Sequence, residues 1–131
     1  MTRPDWLAAH PECAFIEGLL AVAQADDAVT EEETTLLGGL LDAYGVGGTD
    51  AEREAWFRGR VDPAAVADDL RDPLARRFLL DRAFLLAGAD GHLADAELAL
   101  AELWAGRWGI SAAELQALRD DAMLRAAQVG A

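Results

Sequence analysis

An all-α fold is the reading that three features of this 131-residue chain support. Apolar residues recur at helical spacing almost throughout. Ser/Thr-x-x-Glu and Asp-Pro signals stand just ahead of those stripes, where helices start. No segment sustains the period-two alternation of a strand.

The elements follow in order. Phe15, Ile16, Leu19, Leu20, Val22 and Ala23 form a first stripe behind Pro11, a residue suited to a first helical turn. Thr30 and Glu33 make a capping box ahead of Leu36, Leu37, Leu40, Leu41 and Tyr44. Gly45 stands where a helix C-cap glycine belongs. Thr49 with Glu52 caps a short helix holding Trp56 and Phe57, and Asp62-Pro63 opens another that runs through Leu70. Asp72-Pro73 opens the most apolar segment, Phe78 to Ala87, expected to be central and buried on nearly all sides with Phe84 in the core. A helix with Leu98, Leu100, Leu103, Trp104 and Trp108 ends at Gly109. Ser111 and Glu114 cap the last, which carries Leu115, Leu118 and Ala122. The reading is a single-domain bundle of about seven helices, with antiparallel neighbours joined by short connections.

Composition narrows the function classes. Asp and Glu number 24 against 11 basic residues, a formal net charge of −13, and every basic residue is Arg. Nucleic-acid binding needs clustered cations to displace counterions. Arg76-Arg77 is the only adjacent basic pair, so neither nucleic acid nor an anionic membrane surface is expected as partner. No run approaches the ~20 apolar residues of a membrane span, which argues against direct membrane insertion. The first six residues lack signal-peptide character, so the expected location is cytoplasmic. Cys13, the sole cysteine, is expected to pack as a small apolar residue.

An internal repeat organises the chain. Shifted by 64, residues 15–46 fall on 79–110 with six identities: Ala23/Ala87, Ala25/Ala89, Asp26/Asp90, Glu33/Glu97, Leu36/Leu100 and Gly45/Gly109. Similar chemistry recurs at Glu17/Asp81, Val29/Leu93, Glu31/Asp95, Tyr44/Trp108 and Val46/Ile110. These positions include the turn and cap residues a helical hairpin needs. The expectation is two equivalent hairpins about a pseudo-twofold axis.

In each repeat an Asp is followed seven residues later by a Glu. The second turn, with Asp90, Gly91, Leu93 and Glu97, resembles the back half of an EF-hand loop. The front half is missing: Leu86 and Gly88 bring no side-chain oxygen, and the first copy has Val22 and Gln24 there. One turn alone therefore cannot supply the six to eight oxygens of a Ca²⁺ site. Two turns together would offer four carboxylates, from Asp26, Glu33, Asp90 and Glu97. Local capping explains either turn without a metal, because a Glu in a first helical turn gains from the dipole and the cap.

At these residues the chain resembles the TerB-like family, which comprises the tellurite-resistance TerB proteins and the related domain of DjlA-type co-chaperones. That family's pattern is a duplicated A-x-A-D-G-x-hydrophobic-x-x-x-E element. Ala23-Gln24-Ala25-Asp26-Asp27 through Glu33 matches the first copy, and Ala87-Gly88-Ala89-Asp90-Gly91 through Glu97 the second. The likeness covers residues 12 to about 125, and the first copy has Asp27 in place of glycine. His10-Pro11-Glu12 is not the J-domain tripeptide, so no co-chaperone role is carried over. The resemblance implies an all-α fold and a metal site at Asp26, Glu33, Asp90 and Glu97, with Glu31 and Asp95 in second rank. It also implies a stress or tellurite-resistance role among other proteins, some of them membrane-associated.

Hard oxygen ligands suit Ca²⁺, Mg²⁺ or Mn²⁺. His92 lies inside the second turn opposite Ala28 and reads as a solvated loop histidine. Nucleophilic catalysis needs a nucleophile beside an oriented base. The chain has two histidines, no G-x-S-x-G and no strand ahead of Gly45-Val46-Gly47-Gly48, so an enzyme is not expected. Two functions remain: a divalent-metal module, or a metal-free helical interaction domain. For the second, Trp56 with Phe57 is the expected docking point, and Trp104 with Trp108 is expected core.

Overall fold

The computed structural model describes residues 4–10, 12–25, 30–89 and 95–129, apart from the side chains at 85–89, 95, 126 and 129. Among them are eight helices and no strand, which places the chain in the all-α class. In order they are α1 (Asp5–Ala8), α2 (Cys13–Gln24), α3 (Glu31–Ala43), α4 (Asp50–Arg58), α5 (Pro63–Asp69), α6 (Pro73–Ala89), α7 (Asp95–Arg107) and α8 (Ala112–Val129). Periodicity missed α1 because four residues make barely one turn. They divide into two compact units, Met1–Asp62 and Pro63–Ala131.

In the first unit α2 supplies most of the core. Ile16, Leu20 and Val22 are almost fully buried, and Cys13 packs there as a small apolar side chain. The cluster adds Leu7 of α1, Leu37 and Leu41 of α3, Val46 and Trp56. The α3 stripe is narrower than its composition suggests. Leu37 and Leu41, four apart, face the core, whereas Leu36 is 51% exposed and Tyr44 39%. One residue is about 100° of rotation on a helix, so Leu36 turns away from the line its neighbour follows. Trp6 packs edge-on against Trp56, with ring centroids 5.9 Å apart. It also lies against Gly48, where φ is +96° and an added Cβ would come within 2.9 Å of the indole.

Two polar clips hold the chain between these helices. Gln24, at the end of α2, donates through Nε2 to the carbonyls of Gly59 and, at 3.5 Å, Phe57, and its Oε1 accepts from Val61 N–H at 3.1 Å. Arg53 of α4 donates to the Asp42 carboxylate at 2.8 Å and to the carbonyls of Val46 and Gly47 at 2.9 and 3.2 Å. Both capping boxes expected here are complete, Thr30 with Glu33 and Thr49 with Glu52. Inside α3, Gly38 and Gly39 each cost about 0.5–1 kcal/mol relative to Ala. A Cβ on either meets nothing within 4 Å.

In the second unit α6 packs against α7 and α8, and α5 against α7. Leu79, Leu80, Ala83 and Phe84 are buried as expected. The expectation that this segment is covered on nearly all sides fails at its start: Phe78 is 51% exposed, as is Leu74 before it at 76%. Leu85, Leu86 and Ala87 have side chains outside the described set. Asp72 opens α6 as its sequence suggests, accepting from Leu74 N–H at 3.0 Å. The α5–α7 contact is fixed by indoles. Trp104 donates to Pro63 O at 3.0 Å and Trp108 to Ala67 O at 2.9 Å, with the two rings stacked 5.6 Å apart. Arg76 lies over the Trp108 ring at 5.3 Å, in cation–π range. Arg125 of α8 pairs with Asp81 of α6 and with Asp121, and the Asp81 hydrogen bond first of all pushes the guanidinium above its ordinary pKa.

One device recurs in both units. Gly45 and Gly109 have φ of +70° and +68°. Each is followed by an apolar residue whose N–H returns to a carbonyl five residues back, Val46 to Leu41 at 2.8 Å and Ile110 to Ala105 at 2.9 Å. These are the bonds of a Schellman stop.

Candidate metal centre

The acidic turns enter the structure only in part. Asp26 and Asp90 lie outside the described residues, as do Asp27, Gly91 and His92. Asp95 is the first residue of α7, with its side chain outside the described set. Glu31, Glu33 and Glu97 are described in full.

Glu33 has a local task. Its Oε1 accepts from Thr30 N–H at 3.0 Å, while its own N–H donates to Thr30 Oγ1 at 3.1 Å. The sequence Thr-Glu-Glu-Glu puts three carboxylates in the first turn of α3, where the helix dipole favours negative charge. Glu31 is exposed, and its backbone carbonyl accepts from the hydroxyls of Thr34 and Thr35, each at 2.9 Å. Neither side chain needs a metal to account for its position.

Glu97 is placed differently. It sits in the first turn of α7 and is 1% exposed, among the most completely buried side chains of the chain. An ionised carboxylate taken from water costs several kcal/mol unless a partner, a proton or a cation compensates. The helix N-terminus supplies part of that compensation. Of the described carboxylates at the acidic turns, Glu31, Glu33 and Glu97, Glu97 alone is buried. Glu17 of α2 is the only other buried charged side chain among the described residues, at 8%. Among those residues, no group of three or more His, Cys, Asp or Glu is gathered as a metal would require.

Two features escaped the sequence reading. His10 Nδ1 lies 2.5 Å from Glu12 Oε2, joining the two sides of the α1–α2 corner. An i, i+2 His/Glu pair around a proline carries no periodic signal. The second is an open groove of about 790 Å³ between α3 and α4, with Gly38, Phe57, Arg58 and Arg60 among its lining residues. The adjacent glycines within α3 were its available signal. The expected docking pair is divided: Trp56 is 5% exposed and belongs to the core, and Phe57 lines the groove. Trp104, at 0%, is core as expected, and Trp108 is half-buried.

No helix among the described residues is long and apolar enough to cross a membrane. No family model matches the chain, nor does any curated protein or solved structure.

Proposed function

We propose that this chain is a TerB-like, stress-associated module that takes up a hard divalent cation at its acidic turns, first of all at the second, through Asp90 and Glu97. The burial of Glu97 carries this reading. A carboxylate that has left water for an Ala- and Leu-rich helix is where a cation gains most, because desolvated charges attract far more strongly than solvated ones. The first turn offers Asp26 and Glu33; Glu31 in that turn and Asp95 in the second are further oxygens. The capping role of Glu33 uses one hydrogen bond of a group with about four acceptor positions. Oxygen ligands select Ca²⁺, Mg²⁺ or Mn²⁺. The role implied is cation binding or sensing in the cytoplasm among other proteins of a resistance system, without catalysis.

A metal-free helical interaction domain is the competing reading. The complete Thr30–Glu33 box favours it, because a carboxylate engaged in capping needs no ion.

Thermal melts in chelator and in each of the three ions distinguish the two. Binding stabilises the fold by about 2.7 kcal/mol at a hundredfold excess over Kd. Millimolar Ca²⁺ or Mn²⁺ should raise Tm, and Asp90→Asn should abolish the rise. Asp68→Asn with Asp69→Asn, an acidic pair outside the repeat, should keep it. Identical melts in chelator and in every ion would remove the metal reading and leave the interaction domain.

A further inference from the structure

The groove between α3 and α4 points to a second activity, independent of any metal. We propose that it is a docking site for an acidic peptide segment of another protein that carries an apolar anchor residue.

The case begins with charge. In residues 1–62, Asp and Glu outnumber Arg thirteen to four. Three of those four arginines, Arg53, Arg58 and Arg60, line this one groove, against Asp50 and Glu54. The most acidic half of an acidic chain therefore concentrates its cations at a single place. Arg53 is committed to the fold through Asp42, Val46 and Gly47. Arg58 is not. It pairs with Glu54 at 2.5 Å in an i, i+4 arrangement in which the side chains are 77% and 63% exposed. Such surface pairs are worth little. The guanidinium can therefore turn to an incoming carboxylate, which it binds in bidentate fashion.

Shape supplies the apolar half. Phe57 forms a half-buried wall, and Gly38 leaves the α3 backbone bare on the groove side. A Cβ at Gly38 would meet nothing within 4 Å, so packing among the described residues does not call for the glycine. An incoming side chain seated over it would. A volume of about 790 Å³ holds several side chains, and an opening to solvent along two helices suits a peptide better than a small enclosed ligand. The net charge of −13 does not forbid this partner. At physiological ionic strength screening acts over about 8 Å, so the groove's own arginines and carboxylates weigh more on a bound segment than the distant acidic residues do.

The test uses the whole chain at 0.15 M salt and two fluorescein-labelled twelve-residue peptides. Both carry one central Leu-Phe pair; one is otherwise Glu- and Ser-rich, and in the other Lys replaces Glu. Anisotropy should show the acidic peptide binding at least tenfold more tightly than the basic one. Gly38→Leu, which fills the groove while favouring the helix, should weaken binding tenfold or more. Arg58→Glu with Arg60→Glu should do the same. Arg71→Glu with Arg77→Glu, an equal change in net charge at exposed positions, should alter binding less than twofold. Circular dichroism confirms that each variant keeps its helicity. The proposal is overturned if the acidic peptide fails to bind at 1 mM or if the basic peptide binds equally well. It is likewise overturned if Gly38→Leu binds like wild type, if free glutamate competes as well as the peptide, or if the chain self-associates through this face instead.

Discussion

The two helix pairs related by the 64-residue sequence shift, α2–α3 and α6–α7, end alike and differ in burial. Both second helices stop on a left-handed glycine with the same returning hydrogen bond, at Gly45 and at Gly109. Between turn and stop the environments part. Leu36 is 51% exposed and its identical counterpart Leu100 is 7%. Half-buried Leu40 corresponds to Trp104, fully buried and bonded to α5. Glu33 closes a capping box, and Glu97 is buried. A repeated sequence therefore conserves what depends on local backbone chemistry. What depends on neighbouring elements has diverged, because α5 packs on α7 and α8 on α6. Identical residues need not have identical roles.

Substitution of the identical leucines should separate them most widely. Leu100→Ala should cost about 2–5 kcal/mol, as buried leucines do. Leu36→Ala should stay within about 0.5 kcal/mol, as exposed positions do. Equal losses in urea melts would mean that the two helices are packed alike after all. A smaller and symmetric effect is expected at the stops. Gly45→Ala and Gly109→Ala each force a Cβ into the left-handed region, at about 1–2 kcal/mol apiece. Losses differing by more than about 1 kcal/mol would break the likeness of the two caps. At the start of α3, Thr30→Ala is expected to cost about 1 kcal/mol for a lost N-cap. Its effect should be the same in chelator and in Ca²⁺ if Glu33 serves the cap alone; an ion-dependent loss would draw the first turn into the cation reading.

Much of this was legible in the residues. Thr30-x-x-Glu33, Thr49-x-x-Glu52, Asp72-Pro73 and the glycines at 45 and 109 each determine a helix end through bonds made within a few residues, so these helix boundaries could be read directly. Burial was less legible. Periodicity marks a stripe but not how wide a neighbour covers it, which is why Leu36 and Phe78 read as core and stand exposed. Trp56 and Phe57 look equivalent in sequence, yet the rotation of about 100° between neighbouring residues sends the first into the core and leaves the second on the groove. Of the acidic constellation, the sequence selected Glu97 without indicating that it is buried, because burial depends on what packs over the first turn of α7. Asp26 and Asp90 lie outside the described residues.

The four tryptophans fall into two pairs, one in each unit: Trp6 edge-on to Trp56, and Trp104 stacked on Trp108. Each unit thus carries its own optical reporter. Replacing one pair with phenylalanine leaves the other as the sole source of indole emission, so the two halves can be watched separately as the chain is denatured. Stacked indoles at 5.6 Å and edge-on indoles at 5.9 Å also couple their transitions with different geometry, giving each half a distinct near-ultraviolet dichroism band. Whether the halves lose structure together or in turn then becomes a matter of comparing two colours of one experiment.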